Sequence, residues 1–149
     1  AWEDIGLADK EAINMVNSAL VTYERLGSPE GELALATSVI YLAVTSKSNS
    51  AYMAYNKARE FVANDKSHGV PMHLRNAPTK LMKEHGYGDN YQYAHDYKEH
   101  YVPNENYWPT ELVAQNFYTP SNQGLEQKIA ERIAFFRNLD QINKRDIND

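Results

Sequence analysis

The chain has 149 residues, 42% of them apolar and 23% charged, with a formal net charge of -5. That balance excludes a disordered polymer, and no apolar run approaches the roughly 18 residues of a membrane-spanning helix, so a single soluble domain with its own core is expected, with no membrane partner. Cysteine is absent, which excludes a disulfide framework, thiolate zinc sites and thiol catalysis and fits a reducing, cytoplasmic setting.

The chain opens Ala1-Trp2-Glu3-Asp4, without an initiator Met or the basic and apolar blocks of a signal peptide, and is expected to be part of something longer. Ile13, Val16, Leu20, Tyr23 and Leu26 then recur at intervals of three or four, one face of a helix. Asp9 is its expected N-cap, Glu11 suits the positive end of the macrodipole, and Gly27 can close it in the left-handed conformation. Ser28-Pro29 restarts the chain as a second helix, in which Leu33, Ala36, Val39, Ile40 and Ala43 keep the period. No charge falls between Leu33 and Ser46, so a second face of Leu35, Ser38, Tyr41 and Leu42 is expected to be covered as well.

Ser48 or Ser50 can cap a third helix with Ala51, Ala54, Tyr55, Ala58, Phe61 and Val62 on its apolar side. Short connections predict an up-down three-helix unit over residues 9–65. A brief fourth helix is expected from about Pro78 to His85, closed by Gly86. Residues 87–122 hold seven of the eleven tyrosines, Trp108 and three prolines without a sustained period. They predict an ordered extended loop that wraps the helical unit, rings on the core and hydroxyls at the surface. Leu125, Ile129, Ile133 and Phe136 mark a final amphipathic helix ending near Ile142, with a frayed tail over 143–149. The fold class is all-α: a compact bundle with a tyrosine-rich wrap.

Nucleotide hydrolysis needs a glycine-rich turn followed by Gly-Lys-Ser/Thr, which these residues do not contain. No catalytic, cofactor-binding or metal-binding residue is therefore assigned. The histidines at 68, 73, 85, 95 and 100 lack the three- or four-residue spacing of a helical ligand pair. They read as structural or surface residues, with His95-Asp96 in a hydrogen-bond network that pins the loop. Charge is uneven: residues 1–46 sum to -5, residues 47–85 to +4 and residues 86–149 to -4. The basic band suits an electrostatic match between subunits or a nucleic-acid or partner-docking surface, for which Arg75, Lys80 and Lys83 are the candidates. The tyrosines of 86–118 lie among five acids and one cation, a field that repels phosphate.

Several segments resemble, in order, the C-terminal region of the RarA/MgsA family of AAA+ proteins, whose eukaryotic relatives include the Werner helicase interacting protein. They are Glu3-Asp4-Ile5-Gly6-Leu7-Ala8-Asp9, Glu24-Arg25-Leu26-Gly27-Ser28-Pro29-Glu30-Gly31, Val39-Ile40-Tyr41-Leu42-Ala43 and Lys47-Ser48-Asn49-Ser50-Ala51-Tyr52. The most specific run is Val70-Pro71-Met72-His73-Leu74-Arg75-Asn76-Ala77-Pro78-Thr79-Lys80-Leu81-Met82-Lys83, followed by Gly86-Tyr87-Gly88 and Tyr91-Gln92-Tyr93-Ala94-His95-Asp96-Tyr97. Lys10 and Lys98 depart from the pattern where the family commonly has proline. The resemblance implies that residues 1–8 leave an upstream ATPase lid and that 9–142 form a clamp-loader-collar-like oligomerisation domain. It also implies that His73, Asn76, Pro78, His95 and Asp96 belong to a structural motif. It implies a tetrameric, nucleoid-associated parent that meets DNA and replication proteins at stalled forks, with ATP and Mg in the upstream domain. Independently, the charge-free second helix and the surplus of tyrosine predict an apolar patch that needs a partner. Tyr41, Tyr52 and Tyr55 are the interface candidates.

Overall fold

In the computed structural model, which describes residues 1–146 and side chains through residue 143, all regular structure is helical. The helices are α1 (Glu11–Leu26), α2 (Glu30–Val44), α3 (Ser50–Ala63), α4 (Lys80–Glu84) and α5 (Glu126–Asp146), with short 3-10 turns between them. α5 thus runs past the end expected at Ile142, and residues 147–149 of the expected tail lie outside the described residues. Two units form, each with its own packing. The first joins Ala1–Ala63 to Asn116–Arg132, and the second joins Asn64–Gln115 to the chain from Ile133 onward.

In the first unit α1 and α2 pair as a hairpin. Gly27 ends α1 at φ 66°, its amide donating to the Tyr23 carbonyl at 2.9 Å, the left-handed stop that glycine makes cheap. Ser28 does not open α2 as a side-chain cap. The amides of Gly31 and Leu33 instead donate to the carbonyls of Gly27 and Pro29 at 2.6 and 3.2 Å. Gly31 is buried so tightly that a Cβ there would sit 2.6 Å from the Tyr23 Cα, and this contact decides which faces meet. The buried residues of the pair are small: Ala12 and Ala19 on α1, Gly31 and Ser38 on α2.

The apolar period of α2 therefore points the other way from its expected role. Leu33, Ala36, Val39, Ile40 and Ala43 are exposed, whereas Ala34, Ser38, Tyr41 and Leu42 are buried or half-buried. A helix apolar on all sides offers no moment to orient it, so the closest approach of backbones selects the inward face.

Residues 1–8, read as the exit from an upstream domain, contribute Ile5 and Ala8 to the core. The Ser48 amide donates to the Asp4 carbonyl at 2.8 Å and the Leu125 amide to the Ala8 carbonyl at 2.9 Å. The 3-10 turn Gly6–Ala8 is the helical neighbour of α3, whose own residues include none that is buried.

The second unit holds α4, the tyrosine-rich loop and the later turns of α5. Thr79 caps α4, its hydroxyl accepting from the Met82 amide at 3.3 Å, and Gly86 closes the turn beyond it at φ 76°. Within the tyrosine-rich loop the chain makes 3-10 turns at Ala94–Asp96 and Lys98–His100. Tyr101 stacks on Phe136 of α5 with ring centroids 4.3 Å apart. One turn on, Asp140 accepts from the Tyr101 hydroxyl at 3.0 Å and the Asn104 amide at 2.8 Å. Burial, then that hydrogen bond, push the Tyr101 hydroxyl up to about 12.

Candidate assembly surface

The outward face of α2 carries Leu33, Val39, Ile40 and Val44 at 70, 65, 66 and 79% exposure. Leu20, Val21 and Leu26 of α1 are exposed as well. Between the two helices a groove of about 360 Å³ is walled by Met15, Ser18, Ala19 and Thr22 on one side and Leu33, Ala34, Thr37 and Ser38 on the other. The accessible surface of the chain is 11196 Å². A compact monomer of its 17.0 kDa exposes roughly 7,700 Å², and two separate compact bodies of half that mass together roughly 9,300 Å². On α1 and α2 much of the exposed area belongs to aliphatic side chains.

Two carboxylates hold the elements that present this face. Asp9 was expected as the N-cap of α1, but Lys10 holds that position; from one residue earlier Asp9 accepts from the Glu11 amide at 2.9 Å, and also from the hydroxyls of Tyr41, at 2.6 Å, and Thr45. The bonds from Thr45 and Tyr41 hold its carboxyl below the usual range, and the reciprocal bond raises the Tyr41 hydroxyl. Tyr41, an interface candidate, is thus half-buried and committed to a bond that ties α2 to the start of α1. The Lys47 ammonium donates to the Leu42 and Thr45 carbonyls at 2.5 and 2.8 Å, a cation on the negative end of α2.

Glu126 is the second carboxylate and is completely buried. It accepts from the Ser48 hydroxyl at 2.8 Å, the Ser121 amide at 2.6 Å and the Tyr118 hydroxyl at 3.1 Å. Burial pushes its carboxyl up, but the bonds from Ser121, Ser48 and Tyr118 outweigh it and hold the group below its ordinary value of 4.5. The Ser48 hydroxyl also accepts from the Ser50 amide at 3.2 Å, so the expected cap of α3 is at the same time a partner of α5. The sequence reading missed Glu126, because an acid in a first helical turn reads as a complement to the dipole.

Tyr52 and Tyr55 are exposed on α3, the Arg59 guanidinium 6.0 Å from the Tyr55 ring centre. Arg75 donates from Nε to the Val70 carbonyl at 2.7 Å and lies 5.2 Å over the Tyr87 ring, so it holds its own loop together. Lys80 and Lys83 are exposed on α4, Lys80 3.8 Å from Glu84. His73 Nε2 lies 2.9 Å from a Glu105 carboxylate oxygen without the geometry of a directed hydrogen bond. His68 lies 3.0 Å from Asp65. Asn76 and Pro78 are exposed on the approach to α4. His95 and Asp96 are exposed too, the His95 ring packed at 5.0 Å against both Tyr93 and His100. The polar network that pins the loop runs instead through Asp140, and from Tyr97 to Gln92 to Glu105. Among the described residues no group of His, Asp and Glu converges as a metal-ligand set, and no helix is long and apolar enough to cross a membrane.

An all-helical chain that anchors a helix uncharged from Leu33 onward and leaves its apolar face open has the build of an accessory helical domain. The family described as MgsA AAA+ ATPase C terminal matches residues 1–137. Replication-associated recombination protein A of Coxiella burnetii is 46% identical over 144 residues, which is 97% of this chain and 33% of that protein. The protein of the same name from Escherichia coli K12 is 45% identical over 141 residues, 95% of this chain and 32% of that one. ATPase WRNIP1 of Dictyostelium discoideum is 39% identical over 118 residues, 79% of this chain and 14% of that protein. The chain belongs to the RarA/MgsA family of AAA+ ATPases and corresponds to its C-terminal domain. It spans about a third of the length of the bacterial relatives.

Proposed function

We propose that this domain joins subunits of an AAA+ ATPase that works in replication-associated recombination. It is non-catalytic, and it associates with copies of itself into a tetramer. The reading rests on one observation, the uncovered aliphatic face of α2. Burying Leu33, Val39, Ile40 and Val44 contributes about 1–2 kcal/mol apiece, enough together for stable association even after part is lost to ordering. The longer protein, in this reading, binds ATP and Mg in a domain upstream, meets DNA and replication proteins at forks, and acts in the cytoplasm at the nucleoid. The names of the relatives and the family support that role.

The test is Val39→Glu combined with Ile40→Glu. Both side chains are exposed in the single chain, so the variant keeps its helical circular dichroism. An interface that buries two carboxylates loses at least about a hundredfold in affinity. Light scattering should report assembly for the wild type and a monomer for the variant. A variant that assembles like the wild type overturns the assignment of the α2 face.

A further inference from the structure

The tyrosine-rich loop maintains a fixed shape at a cost in backbone strain. Asn90, Glu99, His100 and Asn104 take φ of 62, 62, 52 and 59°. Asparagine tolerates this region, but Glu99 and His100 in succession are unfavourable for side chains of their kind. Such strain persists where the surroundings over-determine it and gathers at recognition surfaces. Here the surroundings are the Tyr97, Gln92 and Glu105 side chains, joined by hydrogen bonds, and Asp140 beneath Tyr101 and Asn104.

The loop presents Tyr91, Tyr93 and Tyr107, more than half exposed, with Asp89 and Asp96 exposed beside them in sequence. Electron-rich ring faces among carboxylates are complementary to cations carried on an apolar stem. α3 has that chemistry. None of its 14 residues is buried, and Lys57 and Arg59 are exposed between Tyr55 and Val62. Residues 47–66 carry four cations against two acids, whereas residues 89–100 carry three acids against one cation.

We infer that the loop over Asp89–Tyr107 docks α3 of a second copy of this chain, with Lys57 and Arg59 meeting its tyrosine rings and the carboxylates of Asp89 and Asp96. This rests on the self-association reading and adds to it a second surface, separate from the α2 face. Under a two-fold axis the contact is reciprocal, the loop of each copy meeting α3 of the other, and beside the α2 face it gives the second kind of interface that a closed tetramer of two pairs needs.

Charge reversal on each side tests it. One variant carries Lys57→Glu and Arg59→Glu, the other Asp89→Lys and Asp96→Lys. Each alone should weaken association roughly tenfold or more, and raised salt should weaken the wild type. An equimolar mixture should recover assembly, because the two reversed surfaces complement each other across copies. Variants that assemble like the wild type, or a mixture no better than its components, overturn the contact. A wild-type chain that stays monomeric at micromolar concentration sinks the self-association reading itself, so the two failures are distinguishable. If a variant misfolds, Lys57→Cys mixed with Asp96→Cys decides, since the chain has no cysteine of its own. Mixed disulfide dimers should form faster than like-with-like ones, and equal rates overturn the proposal.

Discussion

Glu126 gives the sharpest test of what holds the first unit together. Its carboxylate is completely buried and accepts from Ser48, Ser121 and Tyr118. Glu126→Ala orphans these donors and leaves a cavity. At about 1–2 kcal/mol for each donor, softened by water entry at half-buried Tyr118 and Ser121, the loss is about 3–5 kcal/mol. For a chain of this length that lowers Tm by roughly 6–20 °C. Glu126→Gln keeps an acceptor toward Ser48 and Ser121, and its amide can donate to the Tyr118 oxygen, so it should lose less than half as much. The folded carboxyl lies below its unfolded value of 4.5. Its contribution is therefore fully present above that pH and is lost as pH falls through the folded value. Thermal unfolding followed by circular dichroism at neutral pH and near pH 4 should show a shallower acid loss in Glu126→Gln than in the wild type. An alanine variant within about 1 kcal/mol of wild type, or a glutamine variant with an unchanged acid limb, refutes the reasoning.

Gly124→Ala should also destabilise the fold, by about 2–4 kcal/mol in chemical denaturation. Its φ is 50°, and a Cβ would sit 2.1 Å from the Ala8 carbonyl oxygen that accepts the Leu125 amide; a loss within about 0.5 kcal/mol contradicts this account of the joint. Tyr41→Phe removes only the hydroxyl that binds Asp9. Light scattering should show association unchanged while the melting temperature falls, and weakened association would return Tyr41 to the interface.

Several helix boundaries were legible because local chemistry sets them: Gly27 stopping α1, the side chains of Asp9 and Ser48 accepting amides just ahead of α1 and α3, and the three- and four-residue spacing through α5. The inward face of α2 was legible only in part: Ser38, Tyr41 and Leu42 were expected to be covered and are, whereas Leu35 is exposed and the face of Leu33, Val39 and Ile40 also read as core. Its sequence is apolar all round, and the choice was made by Gly31 against the backbone of Tyr23, a contact between helices. Glu126 stayed hidden for the same reason, since Ser48 and Tyr118 meet it only in three dimensions. Of the interface candidates, Tyr52 and Tyr55 are exposed on α3 while Tyr41 turns inward to Asp9. Burial of a tyrosine follows from what its hydroxyl finds, which periodicity does not encode. The surface richest in aliphatic side chains, Leu33 to Val44, was visible as a charge-free run, although its period read as core.

Self-association of these helices, as proposed, is most directly read from the molar mass of the wild-type chain in solution. Light scattering across the micromolar range should give a mass approaching four times the 17.0 kDa of one chain, falling only on dilution. A mass that stays at that of one chain throughout contradicts the account.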